Sequence, residues 1–340
     1  MGKIMNCLKK KEFHFAVSGL FFGLIFLFVI PPFQTPDEAN HFFRSYQISQ
    51  GRLISQKQGR LCGGSIPESL VLTARKVMGN IHFNPENKQN TNDIAKAFHI
   101  PLKKNKTIFV GFRNTAIISP VPYIPQVIGI SAGKLFNASP LILMYLGRLF
   151  NLLFSIIIIS ISIRIAPVFK NVLLLVALMP MSLHQTASLS PDAATISLAF
   201  LMFSLLIKNA YDSNISMDYK NIFYIIIITG LLGFCKSVYF PFAFLYFLIP
   251  ARNIGKPVRY YCVGSAVVIV AISSFFIWGA ITEKLSVIHL YGGMPFGLAK
   301  LFIISHPFGY AQMVAHNLID NLPYYMHGFI GILGWLDTEL

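Results

Sequence analysis

Apolar residues in this chain come in long unbroken runs separated by short polar breaks, not in the alternation of a half-buried strand. The first run, Phe13 to Ile30, is interrupted only by His14 and Ser18. With its flanks it is long enough to cross a hydrocarbon core of about 30 Å at about 1.5 Å per residue. Further runs predict spans over 141–163, 168–184, 190–208, 220–235, 238–250 and 259–280, seven crossings in all. The pair meeting at "GFCKSVYFP" is short, which fits helices broken beside a water-filled cavity. The stretch "ISPVPYIPQVIGISAGKLF" carries Pro120, Pro122 and Pro125 and reads as a juxtamembrane or re-entrant element, because each proline removes a backbone donor. The pattern predicts an all-α integral membrane protein, a polytopic helical bundle. Residues 1–33 form the anchor helix, 34–116 a large hydrophilic loop, 117–280 the juxtamembrane element and bundle, and 281–340 a C-terminal segment of apolar pieces too short to span.

Composition agrees, with 54% hydrophobic and 12% charged residues against about 25% charged in ordinary globular proteins. The net charge of +15 comes from 28 Lys and Arg against 13 Asp and Glu. Eleven of the basic residues fall in segments whose Lys/Arg bias sets them in the cytoplasm: Lys3, Lys9, Lys10, Lys11, Arg164, Lys170, Lys208, Lys220, Arg252, Lys256 and Arg259. The charge therefore speaks for membrane orientation and against a nucleic-acid partner. The N-terminus is expected inside. The 34–116 loop, with twelve Lys or Arg and five Asp or Glu, is expected outside, since long loops translocate largely regardless of charge. A cleaved signal peptide is the competing reading of the basic N-terminus, but Pro31-Pro32-Phe33 is no small-residue cleavage site. Cys7, Cys62, Cys235 and Cys262 are scattered and form neither a disulfide framework nor a metal spacing.

Chemistry concentrates where the first run ends, in "TPDEANHFFR". Thr35 at N-cap, Pro36, Asp37 and Glu38 at N3 spell a capping box. The same grammar recurs in Ser190-Pro191-Asp192. These acids and Asp337 of "GWLDT" are expected on one membrane face, where they could deprotonate an acceptor hydroxyl or hold a divalent cation through Asp37, Glu38 and Asp192. His41 and Arg44 follow at helical spacing, and Asp37 with His41 forms either a site or a solvated pair. Arg148 lies deep in an apolar run and Lys236 at the break between two short helices. Either side chain could hold a lipid phosphate, or be satisfied internally by Asp192 or a backbone carbonyl.

"PPFQTPDEANHFFRSYQIS", "SPVPYIPQVIG", "YLGRLFNLL", "ASLSPDA" and "GWLDT" occur in that order, and this series resembles the bacterial multi-pass membrane family called domain of unknown function 2142. That family in turn is similar in layout to the type C glycosyltransferases. The resemblance implies a bundle of that layout in a bacterial inner membrane, with a catalytic acid in a large first extracytoplasmic loop. It also implies a polyprenyl-phosphate-linked sugar as donor and an extracytoplasmic glycan or lipid as acceptor. On this expectation Asp37 is the base, Glu38 orients it or shares a metal, and Arg148 and Lys236 hold the donor phosphate. The family continues past "GWLDT" with further helices, so 281–340 reads as truncated relative to it. A flippase for lipid-linked glycan and a non-catalytic envelope-polysaccharide assembly protein are the alternative functions. No inverted repeat or midplane acid of a transporter is apparent.

Overall fold

The computed structural model describes residues 10–81, 86–211, 217–285, 296–333, 335 and 338–339. Helix α1, Lys11–Val29, ends where Pro31 and Pro32 withdraw backbone donors. Helix α2, Glu38–Ser49, follows after eight residues. The hydrophilic segment then folds into strands β1, Gln56–Gln58, and β2, Leu61–Pro67, helices α3, Glu68–Met78, and α4, Thr91–Ala97, strand β3, Thr107–Gly111, and the single turn α5, Arg113–Ala116. The three strands form an antiparallel sheet in the order β1-β2-β3, with Gln56 opposite Gly63 and Ser65 opposite Phe109. The protein is thus mostly helical rather than all-α, and 34–116 is a folded unit whose core includes Phe42, Tyr46, Ile66 and Leu70.

A 3₁₀ turn, Val121–Tyr123, leads into α6, Ile124–Leu135. Then come α7, Pro140–Ile165, α8, Lys170–Ala177, α9, Pro180–Thr186, α10, Asp192–Tyr211, and α11, Tyr219–Cys235. Next are a twelve-residue 3₁₀ helix, Ser237–Leu248, and α12, Pro257–Thr282. Among the described residues four helices are long and apolar enough to cross a membrane: 11–29, 140–165, 192–211 and 257–285. The expected span 168–184 is instead two short helices, because Met179 precedes Pro180 in an extended conformation that a helix interior cannot hold. The expected helix 238–250 is 3₁₀. At about 2.0 Å per residue, twelve residues reach about 24 Å instead of about 18 Å, which lengthens a segment too short as an α-helix. The C-terminal segment forms α13, Phe296–Ser305, α14, Pro307–Asp320, and α15, Leu322–Ile330, then a two-stranded pair, β4, Ile332–Leu333, with β5, Thr338–Glu339.

Helix α7 is central, packed against α1, α6 and α10. Its contact with α1 depends on a small-residue stripe that hydropathy does not reveal. A Cβ on Gly19 would come 2.7 Å from Ile156 Cδ1, and one on Gly23 only 2.4 Å from Leu152 Cδ1. The Gly19-xxx-Gly23 spacing lets the two backbones approach, as small residues do between membrane helices. That approach brings the last turn of α1 within reach of Arg148.

Candidate functional site

Arg148 reaches out of α7 to the C-terminal end of α1. Its Nη1 donates to the carbonyls of Leu27 and Ile30, at 3.0 and 2.8 Å, and its Nη2 to that of Pro31 at 3.0 Å. Nε and Nη2 donate to the two oxygens of Glu38, at 2.8 and 2.6 Å. All five guanidinium donors are used. Glu38 also accepts from the backbone N–H of Phe33 at 2.8 Å and of Leu189 at 3.0 Å. Both side chains are fully buried. The cation sits where the free carbonyls of a helix C-terminus favour positive charge, and the carboxylate balances it. Leu189 lies beside the Ser190-Pro191-Asp192 motif, so the pair pins the two acid-bearing helix starts to one place.

This assignment corrects two expectations. Arg148 meets backbone carbonyls, as one of the two internal alternatives had it, but its charge partner is Glu38 rather than Asp192, and no donor remains for a phosphate. Glu38, with four hydrogen bonds to its two oxygens, has no lone pair available to share a metal with Asp37. The set Asp37, Glu38, Asp192 therefore does not fit a divalent cation. No group of three or more His, Cys, Asp or Glu able to hold a metal occurs among the described residues.

Asp37 is placed differently from its neighbour. The expected capping box is not formed: α2 begins at Glu38, Asp37 is its N-cap residue, and Thr35 Oγ1 is buried without a hydrogen-bond partner. Asp37 stands in the left-handed region, φ 59° and ψ 7°, which an L-residue other than Asn or Asp seldom tolerates. Its half-buried carboxylate makes no hydrogen bond or ion pair among the described residues. One helical turn on, His41 Nδ1 lies 2.9 Å from the hydroxyl of Tyr123. Burial drives the His41 pKa down to about 4; the negative charges of Asp37, Asp192 and Glu38 oppose this less strongly, and Lys236 adds to it. The imidazole is neutral at neutral pH. Burial also pushes the Tyr123 hydroxyl up, so it stays protonated.

Lys236 Nζ is 3.0 Å from Asp192 Oδ1, with 54% of the lysine side chain and 33% of the aspartate exposed. Asp192 opens α10 and Lys236 follows the last residue of α11. The lysine also lines a cavity of 280 Å³ bounded by Ile118, Phe234, Phe275 and Trp278. A neighbouring hollow of 610 Å³ shares Ile117, Phe275, Gly279 and Thr282 with it. Asp37, His41, Tyr123, Asp192 and Lys236 thus form one cluster drawn from four stretches of sequence.

Over residues 20–340 the chain matches the family model described as "Predicted membrane protein (DUF2142)". The chain belongs to this family. No curated protein and no solved structure matches it. In this DUF2142 protein the remaining candidates fall outside the cluster. Arg44 is buried and donates to Gln47 Oε1, Ser55 Oγ and the carbonyls of Leu53 and Ile118, so it ties α2 to the loop before β1 and to the proline-rich stretch. Burial lowers its pKa to about 10. Asp337 lies outside the described residues. Tyr123 was not singled out from sequence. Its signal was its place among Pro120, Pro122 and Pro125, where the backbone cannot form a regular span and side chains must supply the contacts.

Proposed function

We propose that this protein is a membrane glycosyltransferase that moves a sugar from a polyprenyl-phosphate donor to an extracytoplasmic glycan or lipid acceptor. The observation that carries the reading is the position of Lys236, which borders an apolar-walled cavity beside α12 and is paired with Asp192 at the edge of the Asp37–His41 cluster. A phosphate on an apolar tail calls for such a combination: hydrocarbon walls at membrane level and a partly exposed cation at one end.

In this reading the acceptor hydroxyl oxygen bonds to the anomeric carbon while the bond from that carbon to the phosphate oxygen breaks. The hydroxyl proton passes to the Asp37 carboxylate, and the bonding pair leaves on the lipid phosphate. Lys236 offsets the charge that grows there, and Asp192 holds the lysine in place beforehand. One displacement inverts the anomeric centre. His41, neutral and fixed through Nδ1 by Tyr123, presents Nε2 to orient the acceptor hydroxyl. Glu38 and Arg148 are the frame that sets the angle of α2 against α1.

The test is lipid and glycan analysis in cells with and without the gene. The reading requires that a polyprenyl-phosphate sugar accumulate when the gene is lost. Trapping of a complete lipid-linked oligosaccharide instead would identify a flippase.

A further inference from the structure

The sheet of the 34–116 unit presents a second surface. Along β2, Cys62 and Ile66 point into the core, which turns Leu61, Gly63 and Ser65 to the opposite face. The register puts Gln56, Gln58 and Phe109 on that same face. Gly63 and Gly111 are direct partners between them and carry no side chain of their own, and the Leu61 side chain lies over Gly111. The bareness is enforced at Gly63, where a Cβ would fall on the Val110 carbonyl oxygen. Gln56, Gln58, Ser65 and Phe109 line an adjoining trough of 530 Å³, with Lys284, just past α12, on its wall and Lys57 reaching its edge from the Cys62 side of the edge strand β1. Neither lysine has an ion-pair or hydrogen-bond partner among the described residues, and no Asp or Glu lines the space. Arg52 stands at the rim, its guanidinium 3.5 Å from the Ser65 carbonyl.

We infer that this face binds an acidic oligosaccharide. Paired side-chain amides at i and i+2 donate to and accept from vicinal hydroxyls, the Phe109 ring offers a flat apolar surface to the C–H face of a pyranose, and unpaired lysines match carboxylates along the chain. An anionic lipid headgroup would use the lysines but not the amides or the ring. As the place where an acceptor glycan docks, the face rests on the transferase reading. The binding itself does not, and it is measured without any donor.

The full chain in phosphatidylcholine nanodiscs is titrated calorimetrically with tetragalacturonate and with neutral maltotetraose. Tetragalacturonate is expected to bind, and maltotetraose to bind at least about tenfold more weakly, as the loss of charge-assisted hydrogen bonds requires. Joint Lys57→Gln and Lys284→Gln changes, and separately Gln56→Ala with Gln58→Ala, should each weaken tetragalacturonate by roughly tenfold. Lys96→Gln on α4 should leave it unchanged. No binding of tetragalacturonate, equal affinity for the two sugars, or equal weakening by Lys96→Gln overturns the inference. It is likewise overturned if phosphatidylglycerol in the nanodiscs displaces the sugar and the glutamine variants bind as wild type, an outcome that reassigns the lysines to lipid headgroups.

Discussion

Glu38 and Arg148, 110 residues apart in sequence, form a fully buried two-pronged pair in which every guanidinium donor and both carboxylate oxygens are engaged. Beside it, Asp37 holds a left-handed backbone and an uncommitted carboxylate. The two adjacent acids of one motif therefore divide the work. Glu38 builds the frame, and Asp37 is left free for the base role proposed for it.

Removing one member of the pair strands a buried charge, so Glu38→Gln and Arg148→Met should each destabilise the protein by about 3–5 kcal/mol. Arg148→Lys should fare little better, because an ammonium has three donors and cannot replace a five-donor fork. The double change Glu38→Leu with Arg148→Met should be milder than either single one. Thermal unfolding in detergent reads the series, and additive single effects would contradict a coupled pair.

Helix α1 should be sensitive at its glycines. Gly23→Val places a methine carbon 2.4 Å from Leu152 Cδ1 and should cost about 1–3 kcal/mol by overpacking. Phe22→Val, on the exposed side of the same helix, should cost little. Equal unfolding midpoints for the two variants would show that α1 does not pack closely on α7.

Acid should weaken the protein through His41. Its folded pKa of about 4 lies below the ordinary 6.5. Between those values the unfolded chain takes up a proton that the folded chain refuses. The stability it contributes is full above pH 6.5 and is lost as pH falls toward 4. His41→Gln should flatten that part of the stability–pH curve. An unchanged slope would show that the imidazole is not held neutral in the fold.

The ion pair of Lys236 with Asp192 is partly exposed and should contribute less than about 1 kcal/mol to stability. Lys236→Met should therefore fold normally and lose donor-lipid binding, while Lys236→Arg keeps part of it. Wild-type binding of a polyprenyl phosphate by Lys236→Met would remove the lysine from the site.

Much of the membrane part was legible, because runs such as Phe13 to Ile30 leave few alternatives to a spanning helix. The sheet was not. Gln56-Lys57-Gln58 carries no apolar residue and β2 contains two glycines and a proline, so neither shows the period of a strand. Its existence depends on pairing with β3 across some forty residues. The depth of Arg148 announced a buried partner, but choosing Glu38 over Asp192 required the packing of α1 on α7, which rests on Gly19 and Gly23. The contact between His41 and Tyr123 crosses 82 residues with no local signal.

Asp37 offers a separation of stability from function. Glycine accepts φ near 59° without the penalty of a Cβ, so Asp37→Gly should fold at least as stably as wild type, by up to about 1 kcal/mol. Asp37→Asn keeps shape and left-handed tolerance. Both should be inactive.

The decisive measurement is mass spectrometry of envelope lipids and glycans from cells whose only copy carries Asp37→Asn, normalised to the amount of inserted protein. A general base contributes about 10² to 10⁴ in rate. The predicted result is an accumulated polyprenyl-phosphate sugar and a glycan or lipid lacking that sugar, at wild-type protein abundance. A glycan and lipid profile indistinguishable from wild type would contradict the assignment of Asp37 as the base.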